Sequence, residues 1–287
     1  MNFDYAIHSD FLIHWTGGED IDERDKDGNL NWCKPDKDKS KTTEDETKKY
    51  IKRLHDILKF GLWMNKKNDP ETIKVNGQKF EKPLVARTCF TELKLSEIRE
   101  HARKFGRLGI GVKRYYLFDR LGSPMKYIQC DTQNLFFPPY SIYDKDNPEC
   151  EKFSFYKHMC SGRPLTYDLF SESEWRIIYS ENIKEKLNNQ EPNRLSLFVN
   201  PKESNDKELK QFYNSIQGEK PEYFLPLDGW FAMIIYPSLD AKNKAQQDDS
   251  TGIKQQIKRI KDIDDHGNRV EGKNWPIEVD LDACRNF

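Results

Sequence analysis

The stretch SESEWRIIY, residues 171–179, places two glutamates at the mouth of an apolar run. Carboxylates are costly to take out of water unless they are paired or used. A strand starting here has period two. That predicts Glu172, Glu174 and Arg176 on one face and Trp175, Ile177 and Tyr179 on the other. Two readings fit the acidic face. One is an ion pair between Arg176 and Glu174 or Glu172. The other is a carboxylate held at a cleft by that arginine, able to bind a sugar hydroxyl and to stabilise a developing positive charge.

Other apolar runs extend the pattern outward. FLIHWT (11–16) reads as a strand with Phe11, Ile13 and Trp15 on one face and Leu12, His14 and Thr16 on the other. TEDE (43–46) is a capping box, with Thr43 at the N-cap, and opens a helix carrying Tyr50, Ile51, Leu54, Ile57 and Leu58 to a stop at Gly61. KPLVARTCF (82–90) reads as a strand followed by a short helix on Leu95, Ile98, Ala102 and Phe105, stopped by Gly106. LGIGVKRYYLF (108–118), PMKYIQC (124–130), GWFAMIIYP (229–237) and PIEVDLD (276–282) read as further strands. A helix is expected near 204–216, and another over 251–263 on Ile253, Ile257 and Ile260. Several strands follow one another without a helix between them, which predicts an α+β class rather than a doubly wound sheet. No linker or repeat is visible. The expectation is a single α+β domain over 1–287, with polar insertions near 17–42, 65–80, 143–152 and 182–222.

Composition narrows the function classes. With 47 basic and 48 acidic residues there is no global basic field. Aromatics at 13% exclude a disordered chain. The start lacks the basic and apolar pattern of a secretory signal, and no run reaches the roughly 18 apolar residues of a membrane helix. Six scattered cysteines, at 33, 89, 130, 150, 160 and 284, have no C-x-x-C spacing, and the expectation is a reduced, cytoplasmic protein. Cys150, His158 and Cys160 fit no standard zinc spacing, so no metal is expected. GRLGIG (106–111) has glycines in the wrong order for a dinucleotide loop and precedes a strand. Lys104, Arg107, Lys113 and Arg114, beside Tyr115 and Tyr116, form either a nucleic-acid contact or a solvated charged face. In RTCFTE (87–92), Thr88, Cys89 and Thr91 either cap the following helix or supply a hydroxyl to a cleft.

Taken in order, FLIHWTG, LHDILKFGLW, RTCFTEL, FGRLGIGVKR, SESEWRIIY and YFLPLDGWFAMIIYP resemble the AbiGi-type abortive infection family of bacterial phage-resistance proteins. The matching blocks cover about half the chain. Proteins of this type are commonly described as antitoxins, which implies a cognate toxin as partner. A more distant similarity is to the ADP-ribosyltransferase plan. It implies two small mixed or antiparallel sheets forming a central cleft for NAD, with peripheral helices. By that resemblance Glu174, or else Glu172, is the catalytic carboxylate acting at the nicotinamide ribose, with ADP-ribose passing to a macromolecular acceptor. His14, Thr16, Thr91 and Arg176 would then line the NAD site.

Overall fold

The computed structural model describes residues 10–16, 44–66, 70, 72–75, 78–92, 98–129, 150–159, 173–247, 252–262 and 274–286. In chain order the elements are β1 (Phe11–Thr16), α1 (Glu44–Phe60), β2 (Leu62–Lys66), β3 (Thr72–Val75), β4 (Gln78–Glu81), β5 (Ala86–Glu92), α2 (Ile98–Phe105), β6 (Leu108–Lys113) and α3 (Arg114–Asp119). Then come β7 (Ser123–Pro124), β8 (Lys126–Gln129), a 3-10 helix over Cys150–Phe155, β9 (Tyr156–Met159), β10 (Glu174–Tyr179) and α4 (Glu181–Gln190). A 3-10 helix over Pro192–Leu197 precedes α5 (Lys207–Ser215), β11 (Tyr223–Leu225), β12 (Phe231–Tyr236), α6 (Leu239–Gln246), α7 (Ile253–Lys261) and β13 (Ile277–Asp280). The class is α+β with mixed pairing, since β12 and β13 run parallel while β1, β5, β6 and β12 pair antiparallel.

These residues gather into two compact units. The first holds the chain up to Leu62, Phe90–Tyr116 and everything from Pro226 onward; the second holds Trp63–Cys89 and Leu117–Leu225. Each is built from separated segments, so no single linker could have marked the division in sequence. The boundary falls inside β2, inside β5 and again inside α3.

In the first unit, β1 lies between β5 and β6, and β6 continues to β12 and β13. Ile13, Trp15, Met233 and Ile235 cluster with Ile98 and Ala102 of α2 and with Leu281 and Cys284. The glycines of GRLGIG are explained by this cluster. Gly109 and Gly111 stand opposite Trp15 and Ile13 in the strand register. A Cβ on Gly111 would come within 2.6 Å of the Met233 Cβ and 2.9 Å of the Ile13 Cδ1. The strand needs glycine because its neighbours on that face are bulky. Gly111→Ala is expected to cost about 1–3 kcal/mol by overpacking, read as a lowered urea midpoint.

α1 buries Tyr50, Leu54, Ile57 and Leu58 and ends at Gly61, whose φ of 110° and bond to the Ile57 carbonyl close the helix. It packs with α6 and α7. Thr43 of the capping box lies outside the described residues. α2 buries Ile98 and Ala102 and stops at Gly106, whereas Phe105 is exposed.

One expectation is revised. The strand over 108–118 ends at Lys113, and Arg114–Asp119 turn into α3. Tyr116 and Leu117 are adjacent and both buried, with Tyr115 and Phe118 exposed on either side. Adjacent buried residues suit a short helix, not an alternating strand. Within 182–222, the helix expected near 204–216 is α5 (Lys207–Ser215), and α4 precedes it. Ser180 caps α4 and Asp206 caps α5, and these helices bury Ile183, Leu187 and Leu209 in the second unit. The segment 65–80 likewise contains the end of β2 and the β3–β4 hairpin.

Candidate functional site

β10 supplies the acid singled out in the sequence. Its alternation holds from Glu174 onward, since Arg176 Nε donates to Glu174 Oε1 at 2.6 Å. Ser173, just before the strand, has a φ of 40°, in the left-handed region. Glu172 lies outside the described residues.

Glu174 is 9% exposed and both of its oxygens are engaged. Lys157 of β9 approaches Oε2 at 3.5 Å, and the Cys89 thiol of β5 hydrogen-bonds the carboxylate. Arg176 also donates through Nη1 to the Ser154 carbonyl at 2.8 Å. Burial opposes ionisation of Glu174, but the Arg176 guanidinium and Lys157 outweigh it and hold the carboxyl below its ordinary range. The same environment works against Cys89. Burial of the sulfur and the negative charge of Glu174 push its thiol up to about 12, which removes it as a nucleophile at neutral pH.

The opposite face of the second unit carries a cavity. Lys66 and Ala86 are directly paired across β2 and β5, and both line it, together with Tyr179, Ser180 and Tyr223. Tyr179 is three residues from Arg176 along β10, so period two sends it away from the ion pair. The space is about 580 Å³, within the range of small-molecule sites. Tyr179 stacks on Phe198 at 4.1 Å and meets Tyr223 edge-on at 4.7 Å. Burial first, then the nearby Glu181 charge, push the Tyr179 hydroxyl up to about 12, so both rings stay neutral phenols in the physiological range. The Tyr223 hydroxyl donates to Glu181 Oε1 at 2.9 Å, and the Ser180 hydroxyl donates to Glu151 while accepting from Ile183 N. Glu151 was not foreseen. It sits in a charged stretch and its partner Ser180 is 29 residues away, so nothing local marks it.

In the first unit, His14 faces Phe90, with ring centroids 5.7 Å apart. Thr16 is buried on the same strand face. Thr91 is opposite Ile13 in the antiparallel register and therefore lies on the other face from His14. Its hydroxyl accepts from Trp15 Nε1 at 3.0 Å and donates to the Ile13 carbonyl at 3.4 Å. The sheet thus brings His14 and Thr16 to one side and Thr91 to the other. Thr91→Val removes the acceptor of a buried indole N–H, with an expected loss of about 1–3 kcal/mol in urea unfolding.

The basic and aromatic segment is largely committed to internal contacts. Arg107 donates to the Pro237 carbonyl at 2.8 Å, Arg114 pairs with Glu92 at 2.8 Å, and the Lys113 ammonium sits 4.3 Å from the Phe11 ring centroid. Tyr116 is fully buried and donates to the Pro226 carbonyl. Tyr115 is 59% exposed and stacks on Trp230 at 4.8 Å. The side chains of Lys104 and His158, and Cys160, lie outside the described residues. Among the described residues no helix is long and apolar enough to cross a membrane.

No protein-family model, curated protein or solved structure matches this chain.

Proposed function

We propose that this chain is a bacterial anti-phage defence protein of the AbiGi abortive-infection type, acting in the cytoplasm by binding a cognate toxin rather than by turnover. The reading rests on the ordered motifs FLIHWTG to YFLPLDGWFAMIIYP for the family. It rests on the state of Glu174 for the absence of chemistry: the acid a transferase would use is 9% exposed, with Arg176, Lys157 and Cys89 on its oxygens. A carboxylate that must reach a ribose hydroxyl needs an open oxygen, and neither is open here. The expected result is a stoichiometric complex with the toxin encoded beside it, rescue of growth on co-expression, and no nicotinamide release from NAD. Toxicity of the chain expressed alone would end this reading.

A second reading, an ADP-ribosyltransferase-like enzyme, is favoured by one observation. Glu174 opens a strand and is held ionised by an arginine, as a carboxylate stabilising an oxocarbenium-like transition state would have to be. It predicts nicotinamide release that Glu174→Gln abolishes with the fold intact. Release that is absent, or unchanged in that variant, excludes it.

A further inference from the structure

We propose that the cavity of the second unit is a receptor for a cationic group on a short aliphatic stem, an alkylguanidinium or alkylammonium, with Glu151 as its anchor. The inference stands apart from the defence reading and rests on Glu151. This residue is 6% exposed and lines the cavity. The Ser180 hydroxyl is its one partner among the described residues, and it holds Oε1. The second carboxylate oxygen takes no hydrogen bond there, and no cation stands within ion-pair distance. A buried carboxylate with a neutral partner and an open oxygen facing a cavity is a site short of a positive charge.

The rest of the lining is mixed in charge, and the site depends on Glu151 alone. Glu81, Glu151, Glu181 and Glu222 face the space against Lys66 and Lys82. The Lys82 ammonium is drawn toward the Phe153 ring, 5.8 Å from its centroid. Glu181 and Glu222 have lysines of their own at 3.6 Å, in Lys184 and Lys202, both at the solvent edge. That leaves Glu151 as the deep acid without one. The walls suit the stem: Tyr179 and Tyr223 offer aromatic surface for a cation and its methylenes, and Val85 and Ala86 add apolar contact. An anion would meet the unneutralised, buried Glu151 carboxylate. A neutral molecule would leave Glu151 uncompensated.

The test is calorimetric titration of the full chain at low salt with agmatine, with n-butylurea, which keeps the butyl stem and carries neither of agmatine's two positive charges, and with the blocked tripeptide acetyl-Gly-Arg-Gly-amide. Agmatine or the tripeptide is expected to bind, and n-butylurea at least tenfold more weakly. Glu151→Gln is expected to weaken the cation by tenfold or more, while Glu185→Gln, an exposed acid on α4 outside the cavity, leaves it unchanged. Tighter binding of the tripeptide assigns the site to a protein side chain; tighter binding of agmatine assigns it to a free amine. Equal binding of agmatine and n-butylurea, no binding by any probe, or unaltered affinity in Glu151→Gln overturns the proposal. The comparison of charged with uncharged probe needs only the natural chain, so it decides the matter even where Glu151→Gln does not fold.

Discussion

Replacing Arg176 with methionine is expected to destabilise the chain by about 3–5 kcal/mol, because it strands a buried carboxylate. Glu174 would keep Lys157 at 3.5 Å but lose the 2.6 Å bond from Arg176 Nε, and the Ser154 carbonyl would lose its donor. Urea unfolding followed by tryptophan fluorescence reads the loss, with Trp175 as a reporter on the same strand. The double variant Glu174→Leu, Arg176→Met is expected to recover most of it, since removing both charges removes the desolvation cost as well. A single-variant loss below about 1 kcal/mol would mean that the pair is far better hydrated than its burial implies.

The same pair sets a pH dependence. Glu174 has a folded-state pKa below its ordinary value of 4.5. Its contribution is therefore fully present above about pH 4.5 and is lost as the pH falls through the lower folded value. The natural chain should lose stability on acidification in that window, and Arg176→Met should lose less there because the shift is already gone. Acid titration of the urea midpoint in both chains measures the difference.

How much of this was legible depended on the distance over which each feature is encoded. The Glu174–Arg176 pair is an i, i+2 relation on one strand, so period two alone reached it. α1, α2 and β12 follow from apolar spacing within one element, and their stops at Gly61 and Gly106 are local chemistry. Glu151 with Ser180, or Lys66 with Ala86, are pairings made by topology. No periodicity carries them. The strand expected over 108–118 holds to Lys113 and fails beyond it, because tyrosine and phenylalanine suit strands and short buried helices alike, and tertiary packing of Tyr116 decided between them. In the polar segment 182–222 the helix expected near 204–216 is α5, while α4, capped by Ser180, had no expectation of its own.

Phe90→Ala is the second large effect, with an expected cost of about 3–5 kcal/mol. Phe90 is fully buried in the first unit, its ring 5.7 Å from His14 and 6.3 Å from Tyr116. Its neighbours in the CFT triplet have structural employment of their own. Cys89 hydrogen-bonds Glu174, and Thr91 accepts from Trp15. Each of these three residues, Thr91 of the expected NAD site among them, is thus tied to packing or to a buried polar contact. If that is its whole role, Phe90→Leu should retain much of the stability and Thr91→Ser, which keeps the hydroxyl, nearly all of it. Both would leave any toxin-neutralising activity in proportion to the folded fraction. A Thr91→Ser chain that is folded and stable yet has lost that activity would show that the hydroxyl face of β5 serves a ligand, and the packing account of the triplet would fall.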